Sequence, residues 1–151
     1  MSHVAPTSGS PELESFRRAH RVLPLGLAFI TGIWVVVTYL LHVPPSLPPG
    51  VPARVAAGVS TGISLTILVV ALLVHRPRVA SHLGRPPAAE PWSSEARGAA
   101  LQFWVFLTGS GVIGLVGLRF SGSLLPLVGT AAALYFLLAN GPTYFEGARQ
   151  D

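Results

Sequence analysis

Ser60, Thr61, Ser64 and Thr66 place four hydroxyls close together in one otherwise apolar stretch. Side chains of this kind can line a polar path through a membrane, bond back to their own helix or bond across to a neighbouring one. Imidazole is the other reactive group at hand. His42 and His75 each end an apolar stretch, while His20 and His82 lie just outside such stretches. A bis-histidine haem needs two imidazoles at similar depth on facing helices. His42 and His75 fall on opposite sides of the apolar layer and cannot share an iron. His20, His75 and His82 fall on one side, without acidic or thiol neighbours at ligand spacing. No metal set and no cofactor is therefore expected.

What is missing narrows the chemistry further. There is no cysteine, which excludes disulfides, thiolate metal sites, thiol nucleophiles and c-type haem attachment. Every basic side chain besides histidine is arginine, ten in all. Schiff-base chemistry on lysine is thus excluded, and the bias fits a GC-rich bacterial genome. No Ser/His/Asp set, no placed pair of acids and no glycine-rich loop after a strand marks a catalytic centre. Glu90 and Glu95 read as solvated charges balancing Arg85 and Arg97. No catalytic residue is expected.

The elements that would carry these groups are long apolar blocks. Half of the 151 residues are hydrophobic and 11% are charged, against about 25% charged in soluble domains. Four blocks, 23–41, 55–74, 99–118 and 124–140, contain no Asp, Glu, Arg, Lys or His. About 20 helical residues cross a hydrocarbon core, and a charge at its centre costs roughly 2.5–3.5 kcal/mol. The blocks lack the polar stripe of a soluble surface helix. The expected fold is an all-α bundle of four transmembrane helices, residues 23–140, between tails at 1–22 and 141–151. The fourth span is short and reaches across only by borrowing flanking residues or thinning the bilayer. The first block is too long for a signal-peptide core and lacks a cleavage site, so it reads as a retained span.

Boundary residues agree with this division. Pro44-Pro45, Arg76-Pro77, Arg119 and Asn140-Gly141-Pro142 follow the four blocks, and Ser93 or Ser94 is a natural N-cap for the third helix. Ser10, Pro11, Glu12 and Glu14 mark an earlier helix start, with Glu14 and Arg18 at i+4 spacing. It reads as the cytoplasmic extension of span one, with a separate interfacial helix as the alternative. Five prolines between His42 and Arg54 make the first external loop stiff. The second, 119–123, closes a tight helical hairpin.

Arg17, Arg18, Arg21, Arg76, Arg78, Arg85, Arg97 and Arg149 fall on one side of the bundle, Arg54 and Arg119 on the other. The positive-inside rule then places both termini and the middle loop in the cytoplasm of a bacterial inner membrane. The first seven of these arginines are expected to meet lipid head groups, and the net charge of +4 is read as topology rather than nucleic-acid binding. Trp92, Trp104 and Tyr144 suit an aromatic belt at that face. Trp34 lies in mid-span, and Gln102 is one turn inside.

Small residues recur at four-residue spacing in every span: Ala28 and Gly32, Gly58 and Gly62, Ser110 and Gly114, Gly129 and Ala133. Such pairs let helix backbones approach closely. Packing within the bundle is the preferred reading, and contact with partner helices the alternative.

Small multidrug transporters resemble this chain in having four short spans, but their membrane-embedded glutamate has no counterpart here. That weakens a transport reading. In layout alone the chain is similar to the small four-span subunit of actinobacterial cytochrome c oxidase. Inert spans, small-residue faces and little extramembrane mass point to a subunit that supplies packing surface while chemistry belongs to its partners. The expectation is a non-catalytic accessory or scaffolding subunit of a larger membrane complex, respiratory or electron-transfer in kind, in contact with lipid and other integral subunits. Two alternatives stand beside it. One is a homo-oligomeric transporter or channel lined by the span-two hydroxyls. The other is an enzyme acting on lipid head groups through the arginine-bearing middle loop.

Overall fold

Helix α1 (Pro11–Val35) carries Pro24 inside it and runs on into a π-helical turn, Val36–Leu40. The computed structural model describes residues 11–47, 49–83 and 92–147. Among these it is all helical. Residues 11–22 belong to the same helix as the first apolar block, so they are its extension and not a separate interfacial helix. The expected cap at Ser10, and the arginines Arg85 and Arg149, lie outside the described residues.

Helix α2 (Ala53–Val70) likewise passes through a π-helical turn, Ala71–His75, into α3 (Arg76–His82). The stop expected at Arg76-Pro77 does not occur. Pro77 falls in the first turn of α3, a position that tolerates proline, and the helical rod continues to His82. Helix α4 (Ser94–Ser121) is capped by Ser93, whose hydroxyl accepts from the Ala96 N–H at 3.1 Å. It ends at Gly122, which takes φ 65° and donates its N–H to the Leu118 carbonyl at 2.8 Å. That left-handed C-terminal position suits glycine.

Helix α5 (Leu127–Ala139) is shorter than the expected fourth span. Residues 124–126 form tight turns instead: the Leu127, Val128 and Gly129 amides donate to the Leu124, Leu125 and Pro126 carbonyls. A last short helix, α6 (Pro142–Gly147), follows after Asn140-Gly141. The three long apolar helices, Leu13–Leu40, Ala53–His82 and Ser94–Ser121, hold 28, 30 and 28 residues. Each exceeds the ~20 residues needed to cross a bilayer. α5, with 13 residues, reaches about 20 Å at ~1.5 Å per residue. Three apolar helices of spanning length suggest a membrane-embedded protein.

α4 is the central element and packs against α1, α2, α3 and α5. Phe103, Trp104, Leu107 and Leu118 on it are fully buried. Large apolar side chains point outward in number: Leu25, Phe29, Leu40 and Leu73 are each at least 70% exposed. In water an outer surface so apolar would drive association. In lipid it is the solvated face.

Candidate functional site

The small residues divide into two sets. Ser110, Gly114, Gly129 and Ala133 are buried along the seam of α4 with α5 and α2. A Cβ at Gly114 would stand 2.5 Å from the Pro126 carbonyl oxygen, and one at Gly129 would stand 2.9 Å from the Ser64 Cβ. Gly111 and Gly117, not singled out above as packing pairs, belong to the same seam. A Cβ there would meet Leu27 at 2.6 Å and Pro126 at 2.8 Å. Ala28, Gly32, Gly58 and Gly62 form the second set and are exposed. A Cβ at Gly32, Gly58 or Gly62 would find nothing within 4 Å.

Close approach at the seam is matched by hydroxyls that bridge it. Ser64 on α2 donates to the Ser110 carbonyl and Ser110 donates to the Ser64 carbonyl, both at 2.8 Å. Thr130 on α5 donates to the Gly111 carbonyl at 2.8 Å. The remaining α2 hydroxyls turn back on their own helix: Ser60 to Ala56 and Ala57, Thr61 to Ala57, Thr66 to Gly62. Each donor is thus spent on a backbone carbonyl.

The arginine-bearing end holds a second assembly. His20 on α1 is buried, donates through Nε2 to the Leu137 carbonyl at 2.8 Å and packs its ring on Trp104, with centroids 4.6 Å apart. Trp104 donates its indole N–H to the Asn140 carbonyl at 3.0 Å. Phe16, one turn before His20, lies between Trp92 and Trp104, at 4.9 and 5.0 Å. Glu146 on α6 accepts from the Trp92 indole at 2.8 Å and pairs with Arg17 at 3.0 Å. Arg76 donates to the Tyr144 hydroxyl and lies over its ring. The start of α1, the start of α3, α4 and α6 are tied together here.

Trp92 and Trp104 are therefore interior residues, 2% and 0% exposed, and not members of a lipid-facing belt. Each indole N–H finds an acceptor on a chain segment far away in sequence. Tyr144, by contrast, is exposed. Gln102 is exposed too. The histidines do not converge: His75 stacks on Phe106 at 4.2 Å, and His82 stands 3.8 Å from Glu95. Arg18, Arg21 and Arg78 are exposed, and Arg97 is half-buried.

At the opposite end, Arg119 donates to the Pro44 carbonyl at 2.6 Å and lies 6.0 Å over the Trp34 ring. The Tyr39 hydroxyl donates to the Gly122 carbonyl at 2.8 Å. The first proline-rich connection is thereby pinned to the end of α4.

The His20–Trp104 assembly was not legible as a unit in the sequence. The i, i+4 spacing of Phe16 and His20 was its one local signal. Comparison with protein-family models, curated proteins and solved structures finds no significant match.

Proposed function

We propose that the chain is a four-span, non-catalytic subunit of a larger bacterial membrane complex, with both termini in the cytoplasm. The carrying observation is the division of the small residues. The inner set is consumed in packing α4 against α5 and α2. Gly32, Gly58 and Gly62 lie on outer faces with open space above them. Glycine costs about 1 kcal/mol relative to alanine in a helix, and these three gain nothing for it inside the bundle. Contact with helices of other subunits would give them a use.

Two further features support the reading. The α2 hydroxyls are engaged with backbone carbonyls, which leaves a transport path along α2 without free polar lining. α5 lies beside α4 and α2, so a fourth crossing is consistent with local thinning of the bilayer around a short helix. Respiratory or electron-transfer assemblies are the kind of complex in which such a packing subunit serves.

Purification in a mild detergent with mass measurement tests the proposal. A stoichiometric larger assembly is expected, and it should lose this chain when Gly58 and Gly62 are both replaced by leucine. A lone monomer, under conditions that keep other complexes intact, overturns it. A pure homodimer stabilised by a solute would point to transport instead.

A further inference from the structure

We propose that the arginine-bearing end of the α1–α5 groove is a binding site for one anionic phospholipid, with its phosphate at Arg21 and an acyl chain lying along the groove. The inference rests on membrane embedding and is independent of whether the chain has partner subunits.

Arg17, His20, Arg21, Pro24, Leu25 and Ala28 stand at positions i, i+3, i+4, i+7, i+8 and i+11 of α1, so they share one helix face. Two adjoining cavities open along that face. The first, about 280 Å³, is lined by Arg17, His20 and Arg21 of α1 and by Gly141 and Thr143 at the start of α6. The second, about 430 Å³, is lined by Pro24, Leu25 and Ala28 against Leu134 and Leu138 of α5, with His20 and Arg21 at its mouth. His20, Arg21 and Leu138 border both. From Arg21 to Ala28 the apolar part runs about 10 Å along the helix, at ~1.5 Å per residue. The sequence of surfaces is that of a phospholipid: charge first, hydrocarbon next.

Charge complementarity selects the occupant. Arg21 makes no ion pair or hydrogen bond among the described residues. Arg17 is paired with Glu146, which takes up part of its charge and leaves Arg21 as the principal anchor. Guanidinium matches a phosphate bidentately and so favours it over other head-group atoms. The arrangement at the other end of the bundle differs. Arg119 also borders an apolar cavity, with Ile30, Trp34 and Phe120, but its guanidinium is held by the Pro44 carbonyl and the Trp34 ring. Glycine at 141 keeps the first cavity open beside the imidazole: a Cβ there would stand 3.0 Å from His20 Cε1. The small side chain of Ala28 leaves room at the far end of the groove.

The test is native mass spectrometry of the full chain in mild detergent, titrated with phosphatidylglycerol or with phosphatidylcholine. One phosphatidylglycerol should be retained per chain, at least about tenfold more tightly than phosphatidylcholine, the scale of one charge-assisted hydrogen bond. Arg21→Gln should abolish the preference. Ala28→Trp should weaken both lipids by filling the groove, and Arg18→Gln, outside both cavities, should change neither. Millimolar inorganic phosphate should not displace the lipid. Equal losses in the Arg18 and Arg21 variants would mean diffuse surface charge and overturn the site, as would displacement by inorganic phosphate or absence of any preference. A chain that is stripped from its membranes by alkaline carbonate would overturn membrane embedding itself. One that stays in them without lipid preference would overturn only the site.

Discussion

Ser64 and Ser110 exchange hydrogen bonds across the α2–α4 seam, each hydroxyl donating at 2.8 Å to the other residue's backbone carbonyl, with the two oxygens 3.2 Å apart. Both residues are fully buried, and Gly129 on α5 gives them room. Side-chain hydrogen bonds between membrane helices are worth about 0.6 kcal/mol on average, up to roughly 1.7. Each acceptor is a main-chain carbonyl and survives replacement of its own side chain. Ser64→Ala and Ser110→Ala should therefore each destabilise by about that amount, and the departure of the double variant from their sum, about 0.5 kcal/mol or more for residues in contact, measures the coupling between them. Unfolding by SDS in mixed micelles measures all three. Strong non-additivity would show that the hydroxyl–hydroxyl contact dominates over the two carbonyl bonds.

The apolar helices were legible because charge is absent from long stretches, and a single missing property can be read without knowing neighbours. Ser93 as cap was legible for a similar reason, since its partner Ala96 is three residues away. Reading failed where the deciding partner is distant. Trp92 and Trp104 are buried in the core with their indole N–H groups satisfied by Glu146 and the Asn140 carbonyl, across 54 and 36 residues. Nothing near either tryptophan in sequence announces that. Pro77 looked like a terminator, yet a proline in a first helical turn stops nothing. The two classes of small residue share one spacing, and only the helix opposite each glycine separates them.

That separation predicts opposite responses to the same chemical change. Gly114→Ala brings a methyl group to within 2.5 Å of the Pro126 carbonyl oxygen. Backbone cannot step aside as a flexible side chain can, so a loss of about 1–3 kcal/mol is expected. Gly62→Ala meets nothing within 4 Å and gains helix propensity, so the isolated chain should be unchanged or stabilised by up to ~1 kcal/mol. Thermal unfolding of the two purified variants in one detergent checks the contrast. Equal destabilisation would place Gly62 inside a packed interface of the isolated chain and remove the distinction between inner and outer faces.

Glu146 accepts from both Arg17 and the Trp92 indole, but the two contacts differ in weight. Arg17 is half-exposed on its side chain, at 46%, and solvated ion pairs of this sort contribute roughly 0–1 kcal/mol. Trp92 is 2% exposed, and a buried donor left without an acceptor costs about 1–3 kcal/mol. Arg17→Gln should accordingly be mild and Glu146→Ala clearly destabilising. Glu146→Gln keeps an acceptor oxygen for the indole and should behave like Arg17→Gln. Near-ultraviolet circular dichroism, which reports the packing of Trp92, should change only in the alanine variant. If Arg17→Gln proves as damaging as Glu146→Ala, the ion pair rather than the indole bond holds α6 in place.

The proposed orientation can be tested without removing any native thiol, because the chain contains no cysteine. Ser46 lies in the proline-rich connection beside Arg119, and Ser81 lies near the end of α3 on the arginine-bearing side. Both are exposed. Single replacements Ser46→Cys and Ser81→Cys should leave the bundle intact. In the loop, the Ser46 side chain makes no hydrogen bond among the described residues, while the Ser81 hydroxyl bonds only to the nearby Arg78 carbonyl. With both termini cytoplasmic, a membrane-impermeant maleimide added to intact cells should label position 46 and leave position 81 unlabelled until the membrane is opened. The reverse pattern would invert the topology against the arginine bias. Labelling of both positions in intact cells would mean that α2 does not cross the bilayer, and the four-span reading would fall with it.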